Sequence, residues 1–286
     1  LVKKQARGHL VLIGGAEDKF GDKRILLEFF RLSGGKEARI VVLPTASRST
    51  ALGNLYKTIF TEWGADCTVM SIDNRSEADN AQKAVQVREA NGIFLTGGDQ
   101  LKITSLLGGT RVASALCRAF FVRGATVGGT SAGAAAMSAH MIISGSRGSI
   151  PRRGMVEMAP GLGLLSGMIV DQHFSQRERI GRLLSAVARN PALLGIGIDE
   201  NTAAHVSPDR MLSVFGNGTV TLVDASKMQY TNVYQLTNPR PVVLANVTLH
   251  VLADGFRYDI RRRKTVLPET AEKLEEQPIR RVLHRL

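Results

Sequence analysis

The 286-residue sequence predicts an α/β protein, with a largely parallel sheet flanked by helices and additional short antiparallel strands in its C-terminal third. Three observations carry that expectation. Through the first half, apolar runs of strand length alternate with amphipathic runs of helix length, the pattern of a parallel sheet covered on both faces. Glycine pairs at 14–15, 97–98 and 128–129 fall where such runs end. That puts all three at the carboxyl edge of the sheet, where open α/β sheets carry their ligands. Beyond about residue 200 helical spacing gives way to short β-prone runs separated by turns.

Taken in order, 8–13 is a buried strand ending in Gly14-Gly15. Residues 24–32 form a helix with Ile25, Leu26, Phe29 and Phe30 at core spacing and Gly34-Gly35 as its stop. The second strand is 38–44, followed by a helix over 52–63, a third strand at 67–70 and a helix over 77–90. Residues 92–95 are the fourth strand, and helices from Leu101 and Arg111 lead to the strand before Ser131. Glycine and proline make 140–165 read as irregular. Residues 167–170 are a strand that delivers Asp171-Gln172-His173-Phe174. Ser175-Gln176-Arg177-Glu178 reads as a capping box opening a helix with Ile180, Leu183, Leu184 and Val187 on its apolar face. A strand at 195–201 ends in acids, and short antiparallel strands follow at 203–206, 211–214, 219–223 and 242–252. The expectation is a single domain over 1–286, with a core of about 8–260 and a charged C-terminal extension at 262–286, as a surface helix or loose tail.

Composition excludes several classes. Hydrophobic residues make up 44% and charged residues 22%, which is globular and not disordered. No apolar run approaches the roughly 18 residues of a membrane-spanning helix. The polar first residues show no signal peptide, so the chain is expected in the cytoplasm, although without an initial Met an upstream segment could have been removed. Cys67 and Cys117 sit in separate apolar stretches and suggest neither a disulfide framework nor a metal site. A net charge of +12 invites nucleic acid, but aromatics are only 5% and the basic residues are dispersed. Attraction of a carboxylate-bearing ligand accounts for the charge as well.

Chemistry concentrates at Gly129-Thr130-Ser131-Ala132-Gly133, a G-x-S-x-G between a strand and an alanine-rich helix former. A tight helix-on-sheet turn would use the same small residues. As a nucleophile elbow, the turn would expose Ser131 and aim the Ala132 N–H at an oxyanion. Gly98, on a neighbouring strand end, could offer the second N–H, and Gln100 a substrate contact. His173 follows a buried strand directly, as Ser131 does, and is the best-placed base. Either Glu200 or Asp199 could orient it, since alternation lets only one of them point its way. Arg177, Arg179 and Arg182 put cations where a helix begins, which suits either a solvated basic face or a carboxylate-binding corner.

The order Ser131, His173, Glu200 differs from the serine–acid–histidine order of α/β-hydrolases. It resembles the flavodoxin-like class I glutamine-amidotransferase arrangement, with serine replacing cysteine. Four blocks make the resemblance specific: Gly14-Gly15-Ala16-Glu17-Asp18-Lys19, Thr96-Gly97-Gly98-Asp99-Gln100, Gly129-Thr130-Ser131-Ala132-Gly133-Ala134 and Asp171-Gln172-His173-Phe174-Ser175-Gln176-Arg177. Together, in order from about residue 8 to 260, they resemble the cyanophycinase family of serine exopeptidases, related to α-aspartyl dipeptidase. The resemblance implies a Ser131–His173–Glu200 triad with oxyanion donors at Gly98 and Ala132. It implies a pocket of Gln100, Asp171, Gln172, Arg177, Arg179 and Arg182, no metal or other cofactor, and a homodimer. The implied substrate is cyanophycin, a poly-aspartate with arginine on each β-carboxyl, released as β-Asp-Arg dipeptides. The alternatives are an aspartyl dipeptidase acting on small Asp-X peptides, a catalytically silent binding protein, and a basic nucleic-acid binder.

Overall fold

Residues 8–47, 49–237 and 239–267 are described in the computed structural model of the chain. The first half alternates as its apolar pattern requires. β1 (Leu10–Ile13) leads to α1 (Arg24–Leu32), β2 (Arg39–Leu43) to α2 (Ala51–Glu62), and β3 (Asp66–Val69) to α3 (Arg75–Ala78) and α4 (Ala81–Glu89). β4 (Gly92–Leu95) leads to α5 (Gln100–Leu107) and α6 (Arg111–Phe121), and β5 (Thr126–Thr130) to α7 (Ala132–Ala136). These strands pair in parallel in the order β1-β5-β4-β2-β3. β1 shows why its run is apolar throughout. Leu10 and Leu12 enter a core on one face of the sheet, while Val11 and Ile13 enter the core on the other. Val112, Leu116 and Phe120 of α6 close the first face, and Phe29, Tyr56 and Phe60 of α1 and α2 close the second.

The remainder forms β6 (His140–Gly145), β7 (Val156–Pro160), β8 (Met168–Gln172), α8 (Ile180–Arg189), β9 (Leu194–Ile198), β10 (Thr202–Val206), β11 (Met211–Gly216) and β12 (Val220–Asp224). It ends with β13 (Tyr230–Thr231), β14 (Leu244–Ala245), β15 (Thr248–Leu252), β16 (Arg257–Asp259) and β17 (Lys264–Val266). β10 runs antiparallel beside β1 and, with β11, β16 and β17, extends the main sheet to nine strands. A second, four-stranded sheet has the order β15-β12-β9-β8, with β8 and β9 parallel. α7 is wedged between the two sheets. Its Ala132, Ala134 and Ala136, with Met137, share one core with Val127 of β5 and with Met168 and Val170 of β8.

Several local expectations are corrected. The helix over 77–90 is broken in two, because the Asn80 side chain accepts the N–H groups of Gln82 and Lys83 and starts a new helix. The glycine-rich 140–165 contains the β6–β7 hairpin, with a register shift between Ile142 and Ser144 that obscures its alternation. Ser175-Gln176-Arg177-Glu178 is not a capping box. Ser175 gives its hydroxyl to Asp199, residues 175–177 form one 3₁₀ turn, and α8 begins only at Ile180. Gly128-Gly129 lies inside β5 and not in a loop. The strand that carries His173 belongs to the second sheet, so base and nucleophile do not share a sheet edge. Lys264–Val266 is an edge strand where a helix or loose tail was expected, and the rest of that extension, 268–286, lies outside the described residues.

Candidate active site

Ser131 sits on the turn between β5 and α7 at φ +51°, ψ −111°, a conformation rare for a residue with a side chain. The packing around it leaves little alternative. A Cβ at Gly129 would lie 2.6 Å from the Gly133 carbonyl carbon, and one at Gly133 only 2.3 Å from the Leu95 carbonyl oxygen. Both glycines of the motif are therefore contact points of α7 on the sheet. The Ser131 N–H donates to the Ile13 carbonyl at 2.9 Å, which ties the turn to the end of β1.

The Ser131 hydroxyl lies 2.9 Å from His173 Nε2, and His173 Nδ1 lies 2.6 Å from Glu200 Oε1. A carboxylate only accepts, so Nδ1 carries the proton and Nε2 is left to accept from the serine. His173 follows β8 with φ +48° and donates its own N–H to the Gly14 carbonyl at 2.8 Å. Gly15 has φ +101°, and a Cβ there would stand 2.3 Å from His173 Cε1. The imidazole thus occupies the space left by a missing side chain. Burial holds the His173 pKa below its ordinary value, and the Glu200 hydrogen bond and charge oppose this while nearby Arg177 and Arg179 reinforce it. A neutral imidazole is the form that can take a proton.

The other acid, Asp199, is turned away. Its carboxylate accepts from the N–H and hydroxyl of Ser175 and from those of Thr219, so it fastens the start of the His173 turn to β9 and β12. Glu200 is steadied instead through its backbone, whose N–H donates to Gln176 Oε1 at 3.1 Å.

The Gly97-Gly98 loop abuts the serine. A Cβ at Gly97 would be 3.5 Å from that of Ser131, and Gly98 holds φ +143° with Ala46 O where its Cβ would stand. Ala132 is the first residue of α7, so its N–H has no intrahelical acceptor. Gln100 donates both amide N–H groups, to the Ile142 and Ile143 carbonyls, which leaves Oε1 as an acceptor. Asp171 is fully buried and receives Arg182 through two nitrogens and Arg179 through one. Burial lowers the Arg179 pKa to about 10, with Asp171 opposing the shift, so it stays charged at neutral pH. Gln172 is buried at the end of β8, and its carbonyl accepts from Arg179. Arg177 is half-buried beside His173 and forms no ion pair among the described residues. Reasoning from the sequence gave no role to Glu17, Asp18, Asn201 or Gln176, although three of them stood in the quoted blocks. Among the described residues no acid, histidine or cysteine cluster could hold a metal ion, and no helix is long and apolar enough to cross a membrane.

A serine, a histidine and a glutamate in hydrogen-bonded line, on an α/β sheet with a G-x-S-x-G turn, define a serine hydrolase. The model of peptidase family S51 matches residues 10–214. The chain is 44% identical to a cyanophycinase of Geminocystis herdmanii, over 93% of this chain and 98% of that protein. It is 44% identical to one of Trichormus variabilis, over 91% and 87%, and 39% identical to one of Synechococcus elongatus, over 92% and 83%. Among solved structures, a peptidase from an acI-B1 actinobacterium shares the fold, with a TM-score of 0.65 at 20% identity over 90% of this chain and 99% of that one. A putative peptidase E from Listeria monocytogenes gives 0.51 at 15% identity over 74% and 100%. The chain belongs to peptidase family S51.

Proposed function

We propose that this serine peptidase hydrolyses cyanophycin to β-Asp-Arg dipeptides as an exopeptidase, through an acyl-enzyme. The observation that carries the reading is the Ser131–His173–Glu200 line in a chain 44% identical to cyanophycinases over nearly its whole length. In the proposed mechanism His173 Nε2 takes the Ser131 proton as Oγ bonds to an Asp–Asp main-chain carbonyl carbon. The oxyanion rests on the N–H groups of Gly98 and Ala132. His173 then protonates the leaving amine as the C–N bond breaks, and water, deprotonated by the same nitrogen, releases the acyl group.

The polar residues around the triad suit this substrate. Arg177, which forms no ion pair among the described residues, takes a substrate carboxylate. Arg179, held by Asp171, adds to a cationic wall, while Arg182, buried against the same carboxylate, fixes Asp171 in place. Gln100 Oε1 and Gln172 accept from guanidinium or amine groups. Action as a homodimer and in the cytoplasm belongs to the same reading, to be tested by sedimentation and by cell fractionation.

Incubation with cyanophycin granules, with dipeptide release followed by mass spectrometry, tests the reading. β-Asp-Arg is expected from the wild type. Loss of about 10⁶-fold is expected for Ser131→Ala in a folded protein. Hydrolysis of small Asp-X dipeptides without attack on the polymer would move the assignment to the aspartyl dipeptidases, and silence on both would favour a binding protein.

A further inference from the structure

We infer that Glu17 is a positioning residue for the nucleophile, acting through Thr130, and that the turn at 14–18 assembles all three arms of the site. The inference rests on the reading of Ser131 as nucleophile. Glu17 is 3% exposed, and each of its carboxylate oxygens has a partner. Oε2 accepts from Thr130 Oγ1 at 2.5 Å, while Oε1 accepts from the Tyr56 hydroxyl and faces Lys19 Nζ at 3.1 Å. A buried carboxylate that accepts from two hydroxyls and is ion-paired with a lysine is fixed in place, because losing a partner would leave a polar group unsatisfied in a low-dielectric interior. Tyr56 is fully buried, and burial and Glu17 push its pKa up, so it remains a donor.

What this network holds is the residue before the serine. Thr130 ends β5, and Ser131 follows at a backbone conformation it would not adopt unaided. The Ser131 N–H is fixed to β1, and the Thr130 side chain is fixed to Glu17, so the direction of the serine hydroxyl is set from both sides. The turn reaches further. Gly14 O accepts the His173 N–H, Gly15 O accepts the Asn201 N–H, and the Asp18 N–H donates to Asn201 Oδ1. Asn201 directly follows Glu200. One short turn therefore touches the chain at the nucleophile, the base and the acid. Its own backbone is wound for the purpose, with Gly15 at φ +101° and Ala16 at φ +49° bringing Glu17 inward.

Glu17→Gln keeps the shape but puts an amide donor against hydroxyl donors, and Thr130→Val removes the hydroxyl from the other side. The test is the second-order rate of Ser131 labelling by a fluorophosphonate, read beside kcat and KM on cyanophycin and the thermal midpoint. For both variants labelling and kcat should fall together by about 10²-fold while KM holds, and Thr130→Ser, which keeps the hydroxyl, should restore most of both. If Glu17→Gln fails to fold, Thr130→Val and Thr130→Ser carry the test. Wild-type labelling rates in folded Glu17→Gln or Thr130→Val would overturn the inference. No labelling of the wild type would instead remove the nucleophile reading on which it rests.

Discussion

Around Ser131 the constraint is volume, and around His173 and Glu200 it is polar. On the serine turn there is no room for a side chain at either glycine of the motif: Gly129 is pressed against the Gly133 backbone and the Met137 side chain, and Gly133 against Leu95. The imidazole and carboxylate instead rest on hydrogen bonds and near charges, with the Glu200 side chain still 36% exposed. The contrast follows from topology. Ser131 rises from the buried middle of a parallel sheet, where β5 lies between β1 and β4. His173 and Glu200 come from turns of the second sheet, at its border with the first. One arm should therefore fail by added atoms and the other by altered charge.

The largest effect after loss of the serine is expected on the polar arm. Glu200→Gln removes the carboxylate charge beside His173 Nδ1 and can turn an amide donor toward that nitrogen, which favours the wrong tautomer, so kcat should drop by about 10⁴-fold with folding retained. A drop of similar size for Asp199→Asn, with Glu200→Gln near wild type, would exchange the two acids. Gly15→Ala tests where volume reaches the polar arm. Its methyl would fall on His173 Cε1, so kcat should decrease by about 10²-fold while substrate affinity is largely kept.

Asp199→Asn should act on stability more than on chemistry. The amide has donors facing the donors of Ser175 and Thr219, a loss of about 1–3 kcal/mol in urea unfolding. The smallest effect is on pH. The acid limb of kcat/KM, where His173 must lose its proton, should lie below the ordinary histidine value of 6.5. Arg177→Gln removes a positive charge that lowers that pKa, so the limb should move to higher pH. Glu200→Gln removes the negative charge that raises it, so the residual activity should shift the other way.

The volume-limited arm was the legible one. Short continuous apolar runs that alternate with amphipathic helix-length runs point to strands buried on both faces, and G-x-S-x-G between a strand and a helix former marks its own turn. The polar arm was legible in its residue types but not in its placement. Nothing in the run 168–172 distinguishes a strand of the main sheet from one of a second sheet, because both are covered on two faces. Ser175 looked like a helix cap because its sequence neighbours fit one, yet a buried Asp199 competed for it and won. Whether Asp199 or Glu200 faced His173 depended on where β9 stops, a boundary that alternation alone does not give. The role of Glu17 was not legible although it stands in a quoted block, since the hydroxyls it holds, those of Tyr56 and Thr130, are distant in the chain.

Acid quenching during turnover of cyanophycin, followed by mass mapping of the peptides, tests the covalent serine route most directly. An acyl adduct is expected on the peptide containing Ser131 in the wild type, absent from Ser131→Ala and accumulating when Glu200→Gln slows its hydrolysis. An adduct on any other peptide, or turnover by Ser131→Ala at the wild-type rate, would contradict it.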